Sequence, residues 1–109
     1  MATPKSDATR KLGEALKAAR GRQVSRQNVA DAAGIHLTNY GEYERGEREI
    51  GLHMLIRIAY VLGTTPSELL SGIDAHDVPG FDTLPTAQQT RDEWDHRRKL
   101  IRDAQSATR

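Results

Sequence analysis

The sequence predicts an all-α protein: five short helices packed as one domain, then a linker, then a C-terminal helical extension. Three observations carry this reading. Apolar residues recur at helical spacing, most clearly in "LHMLIRIAYVLG", where Leu52, Leu55, Ala59 and Leu62 form a stripe that Ile56 and Ile58 widen. Gly21, Gly34 and Gly63 close successive periodic segments at the place where a helix end wants a left-handed residue. Ser25 and Thr65 stand where the next helices need a side chain to accept from their first free N–H groups.

The elements follow in order. In "ATRKLGEALKAAR" (8–20), Leu12, Leu16 and Ala19 lie on one face; Asp7 is the expected N-cap and Gly21 the stop. In "SRQNVADAAG", Val29, Ala30 and Ala33 give a small apolar face that lets another helix cross closely. The third helix, inside "HLTNYGEYERG", is built from poor helix formers. Thr38 is β-branched, Asn39 competes for the backbone, and Gly41 costs about 1 kcal/mol against Ala. Such a helix is held by packing, with Ile35, Tyr40 and Tyr43 facing inward and Thr38, Asn39, Glu42 and Arg45 outward. The Leu52–Gly63 helix comes fourth. In "TPSELL", Thr65 caps, Pro66 takes the first helical position, Glu68 closes a capping box, and Leu69 and Leu70 are the apolar content. The first domain is thus expected over 1–71. "SGIDAHDVPGFDTLP" has no periodicity and reads as a linker over 72–85. The extension, 86–109, is expected to be helical, with Glu93–Arg97 and Asp95–Lys99 pairs.

Composition excludes several function classes. Cysteine is absent, and His36, His53, His76 and His96 are scattered, so no metal site and no cofactor are expected. "DAHD" (74–77) lies in a Gly/Pro linker and reads as solvated. Neither a phosphate-cradling glycine loop nor a nucleophile elbow is present, so the chain is not expected to be an enzyme. No apolar run approaches the roughly 18 residues of a membrane span, and the first residues lack an apolar leader core. A cytoplasmic location and no membrane partner are the expectation. Net charge is only +1, but Lys5, Arg10, Lys11, Lys17, Arg20, Arg22 and Arg26 face only Asp7 and Glu14 in the first quarter. That bias suits an anionic partner, and a solvated helix face explains it equally well.

Two short helices joined at Gly34 form a helix-turn-helix arrangement. Taken with "LGEALKAAR", "SRQNVADAAGI", "YERGER" and "LHMLIRIAYVLGTTPSELL", residues 12–70 resemble the lambda-repressor/Cro-like (XRE-type) DNA-binding domain. The resemblance implies a five-helix fold with the helix from Leu37 to Arg45 in a DNA major groove. It implies base contacts from Leu37, Thr38, Asn39 and Glu42, backbone contacts from Arg26, His36, Arg45 and Arg48, and a place for Gln27 among the DNA-binding residues. It also makes Arg20 and Glu44 a structural pair. The chain departs from the family pattern in a short "GRQV" loop, in Arg26 where Gln is usual, in His36 where Ser or Thr caps, and in Leu37 where a polar residue is common.

The implied function is a transcriptional regulator, a repressor binding double-stranded operator DNA as a homodimer. An antitoxin that regulates its own operon and holds a toxin through residues 86–109 shares the same core. A protein-interaction module that has lost DNA binding is a third reading, against which Arg10, Lys11, Arg26, Arg45 and Arg48 argue. Ala87, Trp94 and Ile101 recur at seven-residue steps. Trp94 and Ile101 are therefore candidates for a dimer seam, and Met54 and Tyr60 for a surface on which the extension docks.

Overall fold

The computed structural model describes residues 4–107, so the expected ends of the chain's segments at 1 and 109 lie outside the described residues. The chain forms α1 (Asp7–Arg20), α2 (Arg26–Ala33), α3 (Leu37–Glu44), α4 (Leu52–Leu62), α5 (Pro66–Leu69) and α6 (Ala87–Ala107). Two 3₁₀ turns, Ala75–Asp77 and Phe81–Thr83, lie between α5 and α6. The all-α class is as the sequence predicts.

Caps decide where these helices begin. Ser6, not Asp7, caps α1: its hydroxyl accepts from the Thr9 N–H at 3.1 Å, and the Thr9 hydroxyl accepts from the Ser6 N–H at 2.9 Å. The shift by one residue has a reason. A box opened by Asp7 would place Arg10 at the third helical position, and a guanidinium has no acceptor to return. Ser25 caps α2 with Asn28 in the reciprocal role. Thr65 caps α5, accepting from the Glu68 N–H at 3.1 Å, but the Glu68 carboxylate turns to the Thr64 hydroxyl, so the expected box is half formed.

The core gathers where α1, α2, α3 and α4 meet. Leu16, Val29, Tyr40 and Ile58 are fully buried, with Ala30, Ala33, Leu55, Ala59 and Leu69 around them. Each large side chain contributes about 1.5–3 kcal/mol of burial. The apolar stripe of α4 is wider than its buried arc. Leu52 and Ile56, both on the predicted stripe, lie at its edge, 68% and 48% exposed, in line with Tyr60 at 85%.

α1 crosses α3 at backbone contact. A Cβ on Gly13 would overlap the Glu44 carbonyl oxygen. Gly46, at φ 73°, brings the turn after α3 so close to α1 that a Cβ there would sit 2.9 Å from Arg10 Cα.

The segment after α5 is not solvated throughout. Asp77 is buried, and its carboxylate meets Lys11 Nζ at 2.8 Å and accepts from the Asp74 N–H at 3.0 Å. The Lys11 ammonium, then that N–H, hold the Asp77 carboxyl below its ordinary range. "DAHD" therefore ties the segment back to α1.

α6 differs from all of this: none of its residues is buried. Trp94 is 55% exposed and Ile101 60%. Met54 packs half-buried against the domain's own core, so α6 does not dock on a Met54–Tyr60 surface. Glu93 pairs with Arg97 at 2.6 Å as expected, whereas Asp95 lies 4.0 Å from Arg91 rather than with Lys99. Among the described residues no helix is long and apolar enough to cross a membrane.

Candidate nucleic-acid interface

α2 and α3 are joined by three residues, Gly34, Ile35 and His36. Gly34 takes the left-handed conformation at φ 71° and ψ 35°, and the Ile35 N–H returns to the Ala30 carbonyl at 2.9 Å. A Cβ would disfavour that conformation. His36 then caps α3, its Nδ1 accepting from the Thr38 N–H at 3.1 Å. This bond makes Nδ1 the lone-pair nitrogen and leaves Nε2 as the N–H, on an exposed ring.

The two helix starts open onto one cleft, lined by Ser25, Arg26, Gln27, Leu37, Thr38 and Arg45, with Gly41 at its floor. Leu37 and Thr38 are exposed there. The Arg45 guanidinium lies across Gly41: a Cβ there would stand 2.9 Å from it, a contact that the exposed end of the arginine side chain can relieve by shifting. Glu42 and half-buried Asn39 continue around α3 outside the cleft, and Gln27 spends its amide on Asp31 at 2.8 Å.

The acids of α3 divide sharply. Glu44 is buried at the centre of a clasp. Arg20 Nε donates to one carboxylate oxygen at 2.7 Å and its terminal nitrogen to the other at 3.1 Å; Arg26 Nε donates at 2.9 Å. Arg20 also reaches the Val24 carbonyl at 2.9 Å, fixing the loop between α1 and α2. Burial by itself would raise the Glu44 carboxyl. The Arg20 bond leads the groups that outweigh burial, and the carboxyl sits below its ordinary range. The Tyr40 hydroxyl lies buried beside this clasp without a hydrogen bond of good geometry. Burial pushes its ionisation well above the usual phenol value.

Glu42 instead meets Arg48 at 2.6 Å near the surface, and Arg45 meets Glu47 at 2.9 Å. All three arginines expected at the backbone thus already touch a carboxylate. Each keeps 41–49% of its side chain exposed. These pairs are rotamer choices that no sequence spacing signals. Gly13 carries no signal in the sequence, and Asp77, expected to be solvated, is instead held by Lys11; each is explained by a residue more than 30 positions away.

Residues 16–69 match the family model HTH_3, helix-turn-helix. Among solved structures, the chain is similar to the restriction-modification controller protein C.AhdI from Aeromonas hydrophila. Identity there is 29% and the TM-score 0.54, over 56% of this chain and 94% of that one. It is similar to the clp gene regulator ClgR from C. glutamicum at 26% identity and TM-score 0.57, over 59% of this chain and 83% of that one. A third, an HTH_3 family transcriptional regulator from Vibrio cholerae, matches at 25% identity and TM-score 0.55, over 61% of this chain and 38% of the other. No curated protein matches.

Proposed function

Through residues 16–69 the chain belongs to the HTH_3 helix-turn-helix family and is a DNA-binding transcriptional regulator, and we propose that it is a repressor that binds operator DNA as a homodimer. The observation that carries this reading is the cleft between the starts of α2 and α3. It exposes Leu37 and Thr38 and has Arg26 and Arg45 on its rim. In this reading α3 enters the major groove. Thr38 and Leu37 meet thymine methyls or base edges, and Asn39 reads adenine from the flank.

Phosphates then compete with Glu47 for Arg45 and with Glu42 for Arg48. An arginine already held by one carboxylate is pre-positioned, so it gives up little side-chain freedom when a phosphate replaces or joins that partner. Glu42 serves mainly to hold Arg48, and its charge disfavours a base edge that presents only acceptors. His36 offers its Nε2 proton to the backbone, and Gln27 approaches beside it. Residues 1–71 act as the DNA-binding unit, 72–85 as the connection and 86–109 as the assembly segment.

Selection from a random duplex pool tests this. Expected is a palindrome with half-sites about 34 Å apart. Arg45→Ala weakens binding alike on all sequences and lowers the salt slope by about 1, whereas Thr38→Ala changes the preferred base. Binding without sequence preference, unaffected by Arg45→Ala and Arg26→Ala, overturns the reading. One observation favours the antitoxin alternative: α6 carries its tryptophan uncovered. The two readings divide on whether that helix pairs with its own kind.

A further inference from the structure

α6 runs for 21 residues without burying one, and it carries two patterns at once. Ala87, Trp94 and Ile101 share a face. Along its length the charge reverses. Asp92, Glu93 and Asp95 dominate residues 87–96, where Arg91 is the sole Lys or Arg; Arg97, Arg98, Lys99 and Arg102 dominate 97–107 against Asp103. The helix dipole favours this polarity within one helix but gives no reason for the apolar face. Water alone is a poor setting for so thin a helix.

We propose that α6 pairs with α6 of a second copy in antiparallel orientation, the acidic half of each lying on the basic half of the other, with Trp94 and Ile101 in the seam. This rests on the homodimer reading and supplies its geometry. A parallel pair would align like charge with like along the whole contact, which disfavours it. The antiparallel pair opposes them, and Arg98, Lys99 and Arg102, which form no ion pair among the described residues, gain carboxylates across the seam.

The arrangement also sets a distance. At 1.5 Å per residue, a 21-residue helix places the two α6 starts about 30 Å apart, close to the roughly 34 Å between operator half-sites. A parallel pair would bring those starts within about 10 Å. The two-fold axis of the antiparallel pair crosses α6 near its middle and matches the dyad of a palindrome.

The chain has no cysteine, so Gln88→Cys carries a single spin label. Expected for the full-length chain is an interlabel distance of about 30 Å. A distance near 10–15 Å, or none at concentrations where operator binding is cooperative, overturns the proposal. Asp92→Lys with Glu93→Lys, and separately Arg98→Glu with Arg102→Glu, should each weaken self-association at least tenfold in sedimentation, and mixing the two variants should restore a dimer. If Tyr60→Glu dissolves the dimer while both charge reversals leave it intact, the α4 edge is the interface and the proposal falls. Half-site binding in the same variants reads the α2–α3 surface separately. It should persist through the charge reversals. Its absence from the unaltered chain would remove the DNA reading while leaving the spin-label result intact.

Discussion

α1 and α6 bracket the chain and look alike in sequence, each a charged helix with an apolar face, yet α1 buries Gly13 and Leu16 and α6 buries nothing. The difference lies in what crosses them. α1 offers a glycine where the α3 backbone passes, so the two main chains touch and Leu16 reaches the core. Its last turn then places Arg20 against Glu44. α6 carries Trp94 on its apolar face with arginines along its length, and Arg97 lies over the Trp94 ring at 5.6 Å. An apolar face becomes part of a fold only when a neighbour has room to approach it.

The largest effect should come from the clasp that ends this crossing. Glu44→Gln leaves two guanidinium groups facing a neutral amide, one of them, on Arg20, 13% exposed. Breaking a buried pair from one side costs about 3 kcal/mol or more. The pH dependence sharpens the test. The folded Glu44 carboxyl titrates below its unfolded value, so the unfolded chain binds the proton first as pH falls. The contribution is complete above the unfolded value of about 4.3 and disappears as pH drops through the folded one. Urea midpoints of wild type should therefore fall with acid more steeply than those of Glu44→Gln. Parallel curves would mean that the clasp is not what holds α1 to α3.

Gly13→Ala comes next, and its sign is the informative part. In an exposed helix interior this change gains about 1 kcal/mol. Here the new Cβ meets the Glu44 carbonyl, which is backbone and cannot step aside, so a loss of about 2 kcal/mol is expected. A stabilised variant would show that the helices do not touch at this point.

How far these features were legible depends on how far apart their causes lie. Ser25, Gly34, Gly63 and the Thr65–Pro66 start follow from neighbours within four residues, and the fold shows them where local rules put them. The clasp was legible only through resemblance, since nothing in the spacing of Arg20 and Glu44 announces it. Leu52 and Ile56 misled because periodicity gives the width of an apolar stripe but not how much of it a neighbour covers. Lys11–Asp77 joins residues 66 apart, across a segment without periodicity, so the region read as a free linker. In and beside the cleft, the sequence picks out Arg26, Arg45 and Arg48 as cations. It does not reveal that Glu44, Glu47 and Glu42 already hold them.

Tyr40→Phe should be nearly silent, because the lost hydroxyl is buried and makes no hydrogen bond of good geometry. The hydroxyl stands beside Glu44 and Arg20 but outside good hydrogen-bond geometry, so its contact there offsets little more than its desolvation cost, and thermal stability should stay within about 0.5 kcal/mol. A loss above about 1 kcal/mol would place Tyr40 inside the clasp as a true donor to Glu44.

The smallest effect belongs to α6. Ending the chain after Thr83 removes a helix that buries no residue, so at low protein concentration the unfolding midpoint should match that of the full chain within about 0.5 kcal/mol. Raising the concentration should separate the two. A helix that pairs only with its own copy stabilises the folded state by mass action, and the gain grows with concentration in the full chain alone. The midpoint of the shortened chain should stay flat over the same range. A difference at every concentration would mean that α6 docks on its own domain and is a second α1 after all. If both midpoints stay flat and equal, α6 finds neither its domain nor its copy, and a different protein becomes the partner to seek for Trp94.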